Sequence, residues 1–461
     1  MEKGFITSQV IIEPQDLNSG KLVITVVPGR VSALHIQAEQ ANTFLSGHTP
    51  ILGNIFPIRS EDILNLHRLE QGLENLHRLS TVESNIRIEP SEKQGYSDIA
   101  VTWQQSKPFL VTLGLDDSGS KATGKNQFYT GFSLDNPLRL GDFLHISYRR
   151  EIGHKRKLTD SEGNHTGSRS RSYSLHYSLP VKNWLFSFNH SHYRYHEATE
   201  GFYRNYDYSG KSINSRFDAD RVIYRDGRHK TIAGLWLWRQ QIHKYIDDSE
   251  LEVQRRRSAG WAAGLRHKSQ LGQYSLYGAV TYKRGTGMLK SLKAPEEYDS
   301  NNGTIGGTSR MKVITAELAV AAPFKIGRQL FTADSNLNLQ WNKTPLTPQD
   351  KLSLGGRYTV RGFDGEQSIT GERGWYWQNN LGWHYRPSHQ VYLGIDSGHV
   401  SGRSTEGLDK QRLTGAALGI KGSIKAGGMF HYDVYAAKPL DKPDHFQTAK
   451  TVYNFNLYYR F

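Results

Sequence analysis

From Pro108 to the C-terminus, apolar and polar residues alternate with a period of two, the pattern of strands whose successive side chains point to opposite faces. Phe109, Val111, Leu113 and Leu115 alternate with Leu110, Thr112, Gly114 and Asp116. Phe128, Thr130, Phe132 and Leu134 alternate with Tyr129, Gly131, Ser133 and Asp135. The texture returns at 144–149, 173–179, 184–190, 231–238, 260–267, 274–282, 313–319, 336–341, 375–385, 391–398, 414–420, 428–435 and 452–461. One face is apolar or aromatic; the other carries Gly, Ser, His, Asn, Gln, Arg and Asp. Short turns (135–142, 179–183) alternate with long polar loops (151–170, 285–310), as in outer-membrane barrels. Aromatics gather at strand ends (Trp375, Trp377, Trp383, Tyr385, Tyr458, Tyr459), where a membrane girdle needs them. Roughly 350 residues, at about 20 to 25 per strand with its share of turn and loop, leave room for about 14 to 16 strands, an even number, and a sixteen-stranded antiparallel transmembrane β-barrel is the expectation adopted.

The first hundred residues read differently. Residues 4–30 suggest strand, turn, strand, too little to bury a core alone. Residues 31–104 suggest a small α/β unit of order β-α-β-β. Ser60 is the expected N-cap, followed by Glu61 and Asp62 in the first turn. Ile63, Leu66, Leu69, Leu73 and Leu76 then recur at helical spacing.

Composition narrows the class. No apolar run approaches the roughly 18 residues of a membrane helix, so the choice lies between a soluble β protein and a membrane barrel. Cysteine is absent, which excludes disulfide and thiolate chemistry. The net charge of +14 is spread along the chain rather than gathered on one helix or tail, and so describes a basic lumen and loops better than a nucleic-acid surface. Met1 runs directly into Glu2-Lys3-Gly4-Phe5 with no apolar stretch, so if the chain is an outer-membrane protein its export signal is expected outside this sequence, through truncation or a misplaced start.

Between two β-like segments lies Leu354-Gly355-Gly356-Arg357-Tyr358-Thr359-Val360-Arg361-Gly362-Phe363. It is too rich in Gly and charge for a helix or clean strand, and suits a loop folded back into the structure. Val360-Arg361-Gly362-Phe363 resembles the signature of the inward-folded loop in the outer-membrane superfamily of BamA and the TpsB two-partner secretion transporters. The β-α-β-β order resembles a POTRA domain, the periplasmic module of that superfamily. Residues 115–138 resemble the opening hairpin of TpsB barrels, and Gly394-Ile395-Asp396-Ser397-Gly398 resembles the second barrel motif. The final strand carries Tyr453, Phe455, Leu457, Tyr459 and Phe461 on one face and resembles the C-terminal assembly signal of outer-membrane barrels.

The resemblance to TpsB transporters of the FhaC, ShlB and CdiB kind implies a mainly β fold in three parts. These are the end of a first POTRA (1–30), a second POTRA (31–106) and the barrel (107–461), with an inward loop at about 350–373. A plug helix and the front half of the first POTRA are expected upstream. Alternation points Asp396 to the lumen, and the resemblance pairs it with Arg361, with Gly398 beside it. Phe363 would anchor the loop tip, Gly362 turn it, and Gly355 and Gly356 form the hinge. Leu66, Leu69, Leu73 and Leu76 of the POTRA helix, with the neighbouring strand, are the expected substrate-binding surface. The implied activity is export of a large TpsA exoprotein, an adhesin, haemolysin or contact-dependent inhibition toxin, from periplasm to cell surface. The expected partners are that exoprotein, outer-membrane lipid and, during biogenesis, the barrel assembly machinery. The expected chain is a monomer with no nucleic acid, cofactor or metal.

Other chemistry finds little support in the residues. Gly119-Ser120-Lys121-Ala122-Thr123-Gly124-Lys125-Asn126 nearly fits a phosphate-binding loop, but Asn126 stands where Ser or Thr would hold magnesium, and a strand follows it. His190 and His192 share a strand face without a third metal ligand nearby. No nucleophile-elbow motif occurs, so the chain is not expected to be an enzyme. A BamA-like insertase, a small-solute porin and a barrel-borne enzyme are the competing readings.

Overall fold

The computed structural model describes residues 3–38, 49–153, 157–159, 165–200, 205–297 and 306–461. Parts of the long loops expected at 151–170 and 285–310 lie outside the described residues. A short hairpin pairs Gln9–Ile11 with Thr25–Val27, and Val10, Val23 and Val26 on it are exposed.

A small α/β unit follows, built from β1 (Arg30–Ala38), α1 (Leu52–Ile55), α2 (Leu66–His77), β2 (Val82–Pro90) and β3 (Tyr96–Gln105). The sheet order is β1-β3-β2, with β3 parallel to β1 and antiparallel to β2. Phe56, Leu64, Leu69, Leu76, Ile99 and Val101 form its core. Gly72 sits mid-helix, at a cost in propensity, because a Cβ there would overlap the Phe56 ring.

Two expectations are corrected here. The helix does not start at Ser60. Glu61 has φ +71°, a left-handed conformation that cannot open a right-handed helix. Instead Asn65 caps α2, its side-chain oxygen accepting the His67 N–H at 3.0 Å, and Ile63 stays outside, partly exposed. Leu69 and Leu76, expected on a substrate-binding surface, are 1% and 0% exposed. A helical stripe has one apolar face, and this domain needs it to cover its sheet. Leu66 and Leu73 are half-buried at the margin. Leu76→Ala should therefore destabilise the unit by about 2–5 kcal/mol, seen as faster proteolysis within 30–105 in the detergent-solubilised chain. Unchanged proteolysis would put Leu76 outside the core.

Sixteen strands close the barrel: β4 (Phe109–Asp116), β5 (Gln127–Asp135), β6 (Phe143–Glu151), β7 (Arg169–Val181), β8 (Trp184–Thr199), β9 (Tyr206–Arg225), β10 (His229–Ile246), β11 (Arg256–Leu271), β12 (Tyr274–Thr286), β13 (Lys312–Ile326), β14 (Gln329–Asn342), β15 (Arg373–Arg386), β16 (His389–Ser401), β17 (Arg412–Lys425), β18 (Met429–Asp441) and β19 (Val452–Arg460). Alternation sets the faces: Leu265, Val280, Leu318, Leu393, Ile395 and Leu418 point outward and are exposed. The seam between β4 and β19 has only five register pairs, Thr112↔Arg460 to Asp116↔Asn456. Phe461 extends it, exchanging backbone hydrogen bonds with Val111 at 3.0 and 3.1 Å. Its ring packs on Tyr459, 5.3 Å between centroids.

The small domain is bolted to one end of the barrel through the turns there. The Asn75 amide donates to the Lys182 carbonyl at 2.8 Å. The Thr81 N–H and hydroxyl donate to Asp135 at 2.8 and 2.7 Å. Arg225 and Lys230 both reach Glu74. Burial raises the Glu74 carboxyl, but those two cations more than reverse it and hold it below the ordinary carboxylate range. Burial draws the Arg78 guanidinium down to about 10, against the nearby Glu74, Asp135 and Asp142. It stays charged at neutral pH.

Candidate functional site: a loop berthed on the inner barrel wall

The segment between β14 and β15 turns inward. Leu352–Leu354 pairs with Ile369–Gly371 in a short hairpin, and the residues between them form the tip. Val360 and Phe363 are 0% and 2% exposed. They pack with Leu354, Ile369, Leu413 and Phe446 in a small apolar cluster. Phe363 meets Phe446 edge-on, 5.5 Å between centroids and 90° between planes. Gly355 and Gly362 take φ of +116° and +106°, which only glycine adopts cheaply. Gly362 also lies against the Lys438 carbonyl, with no room for a Cβ. Gly356 shows no such demand; it bridges to Val360 across the tip.

Arg361 reaches Asp396 with both arms of its fork, Nε to Oδ2 and Nη2 to Oδ1, each at 2.6 Å. The Arg361 backbone N–H donates to the same carboxylate at 3.0 Å. Nη1 donates to Asn380 Oδ1 at 2.7 Å, and Nη2 also donates to the Asn379 carbonyl at 3.3 Å. The two side chains are 9% and 1% exposed. A bidentate, charge-assisted pair held this way fixes orientation as well as distance.

The wall is shaped to receive it. Along β16 the lumen face reads Gly394, Asp396, Gly398, with Leu393 and Ile395 on the outer face. A Cβ on Gly394 would stand 2.5 Å from Arg361 Nη2, and one on Gly398 2.8 Å from Leu354 Cδ1 and 3.0 Å from Val360 Cγ2. On β17, a Cβ on Gly415 would overlap the Arg361 carbonyl oxygen. Glycines make the space and the aspartate supplies the charge. The structure thus brings Val360, Arg361, Gly362, Phe363, Asp396 and Gly398 together. Leu66, Leu69, Leu73 and Leu76 lie apart in the small domain, and Phe461 lies at the seam.

Sequence reasoning missed a second anchor. Arg357 pairs with Asp117 at 2.6 Å and donates to the Phe455 carbonyl at 3.4 Å. Asp117 also accepts the Phe455 N–H at 3.0 Å. Lys121 pairs with Asp364 at 3.2 Å, and its N–H donates to Glu366 at 2.8 Å. The loop is therefore tied to both strands of the barrel seam. The signal was an arginine four residues before Arg361 and the acidic pair Asp116-Asp117 in the opening hairpin, but nothing local links them. The phosphate-loop look-alike closes on itself instead, the Gly119 N–H donating to the Lys125 carbonyl at 2.9 Å. Beside the tip the lumen keeps a cavity of about 550 Å³ lined by Arg357, Tyr358, Arg361, Tyr392, Asp433 and Tyr435 among others. His190 bonds Ser215 at 2.9 Å, and no metal-binding group of His and acids occurs among the described residues.

A closed sixteen-stranded barrel with a periplasmic α/β domain at one end and an inward loop berthed on its wall defines an outer-membrane transport barrel. Residues 95–422 match the family of the haemolysin secretion/activation proteins ShlB, FhaC and HecB, residues 31–90 match a POTRA domain, and residues 1–29 match a ShlB-type POTRA domain. The chain belongs to the ShlB/FhaC family of two-partner secretion transporters of the outer membrane. It is similar to the outer membrane transporter CdiB-2 of Burkholderia pseudomallei, with 30% identity over 99% of this chain and 75% of the relative. The hemolysin transporter ShlB of Serratia marcescens is 26% identical over 83% of this chain and 63% of its own length. Among solved structures, CdiB from Acinetobacter baumannii superposes with a TM-score of 0.83 at 30% identity, covering all of this chain and 79% of that one. BamA from Haemophilus ducreyi shares the fold alone, at 12% identity and a TM-score of 0.52.

Proposed function

We propose that this protein exports one large TpsA exoprotein, an adhesin, haemolysin or contact-dependent inhibition toxin, from the periplasm to the cell surface without nucleotide hydrolysis. The observation that carries this reading is the berthed loop: a buried arginine–aspartate pair inside a barrel whose periplasmic end holds a POTRA domain. Among the described residues the outer edge of β2 is open to strand addition by an extended passenger, whereas the start of β1 already pairs with residues 61–63 and the docked face of α2 is covered. The passenger passes through the lumen beside the loop when the loop shifts, and its folding outside makes passage one-way. Arg361 and Asp396 hold the loop in its transport-competent place, Gly355 lets it turn, and Phe461 serves assembly by the barrel machinery. The protein acts as a monomer, with no cofactor and no catalytic group.

The test is deletion and complementation in the native host. Loss of one large exoprotein from the surface, with other outer-membrane barrels at normal levels, is the expected result. General depletion of other barrels would overturn it in favour of an insertase. Normal exoprotein display without this protein would overturn it outright.

A further inference from the structure

We propose that the outward rim of β6 to β9 binds the phosphorylated headgroup of a glycolipid in the outer leaflet. Strand register sets Arg150 on β6 directly opposite Arg171 on β7, Arg171 opposite Arg194 on β8, and Arg194 opposite Lys211 on β9. Cross-strand neighbours on one face lie about 5 Å apart at Cβ. Four cations therefore stand in one row across four adjacent strands. Parity places them on the same face as Ile146, Tyr173, Phe188 and Phe217, which are exposed on the outside of the barrel. The row faces membrane, not lumen.

Its height matches a headgroup. Arg150 is the penultimate residue of β6, at the end away from the turns that hold the periplasmic domain. One pleat below, on the same outer face, the Tyr148 and Tyr173 rings pack with centroids 4.9 Å apart, as an aromatic girdle does at the interface. Above them Arg150, Arg169, Arg171, Arg194 and His196 line a cavity of about 500 Å³ with Tyr148 and Ser170, and two carboxylates, Glu151 and Asp248, share its wall with the five basic side chains. Glu151 at its edge is buried and accepts the Ser170 N–H at 3.0 Å.

Like charges placed opposite one another across strands destabilise a sheet. Among the described residues, none of Arg150, Arg171 and Arg194 is held in an ion pair. Elsewhere the chain pairs its arginines freely, as with Arg149 and Asp116 or Arg216 and Asp218. An unpaired row of planar forks beside a lipid surface suits phosphate oxygens, which guanidinium binds bidentately. Clustered basic residues at a membrane surface read anionic headgroups in the same way.

Native mass spectrometry of the detergent-solubilised full chain tests this, titrating lipid A with and without its phosphates. Wild type is expected to retain phosphorylated lipid A at least tenfold more tightly than the dephosphorylated form. The triple variant Arg150→Gln, Arg171→Gln, Arg194→Gln should lose that preference, whereas Lys325→Gln, next to the last residue of β13 at the barrel end that holds the small domain, should keep it. Heat-modifiability confirms each barrel is folded, and Arg171→Gln alone, with a smaller loss, stands in if the triple variant does not assemble. Equal binding of the two lipids by wild type, full retention of the preference by a folded variant of the row, or an equal loss in the Lys325 control would each overturn the proposal.

Discussion

Arg361→Ala should reduce export of the partner exoprotein by at least about tenfold while the barrel still folds. Removing one member of a buried ion pair costs about 3–5 kcal/mol, because the other charge is left unpaired. Each 1.4 kcal/mol is about tenfold, so the seated loop loses about two to three and a half orders of magnitude in its equilibrium. Phe363 against Phe446 and Arg357 on Asp117 retain part of the seat, which keeps the loss of export below that figure. Asp396→Ala should match it. Exchanging the charges, Arg361→Asp with Asp396→Arg, should not restore export, because Asp396 also accepts the Arg361 backbone N–H. The check is exoprotein in the medium, normalised to heat-modifiable barrel. Normal export by folded Arg361→Ala would remove the pair from the mechanism.

Gly415→Val should be as damaging without touching a charge. A Cβ there overlaps the Arg361 carbonyl oxygen, and backbone cannot rotate away as a side chain can. Overpacking of this kind costs about 1–3 kcal/mol even where neighbours relax, and here the cheapest relaxation is departure of the loop tip. Gly278→Val, at a site with nothing within 4 Å, should export normally. Because both substitutions unseat the same tip, Gly415→Val with Arg361→Ala should be little worse than either alone. Additive losses would mean the two residues act on different steps.

The barrel is readable because period-two alternation survives any strand order and because the length after Pro108 bounds the strands to about 14 to 16. The faces followed too: Leu393 and Ile395 outside forced Asp396 inside. The identity of its partner did not follow from alternation, which names a face and not what lies against it; that came from the motif Val360-Arg361-Gly362-Phe363. Arg357 and Asp117 went unseen for the same reason, since they are separated by most of the barrel. The helix start is hidden because Ser60 and two acids imitate a first turn, while the left-handed Glu61 that breaks it has no sequence mark. The resemblance places substrate binding on the leucine stripe, and periodicity cannot correct it, because periodicity locates an apolar face without saying whether the protein's own sheet covers it. Docking of α2 through Gln71, Glu74 and Asn75 onto barrel turns could not be foreseen from polar residues that look like solvent contacts.

The central claim is that a polypeptide crosses the membrane inside this barrel. A photo-crosslinking residue placed at Tyr277 or Asn336, both on the lumen cavity beside the loop, probes the path directly while a passenger with a disulfide-locked C-terminal domain is held in transit. Val280 and Leu318, exposed on the outer face, serve as the comparison. The account predicts passenger adducts from the lumen positions and none from the outer ones. Adducts from Val280 and Leu318 with none from Tyr277 and Asn336 would contradict it.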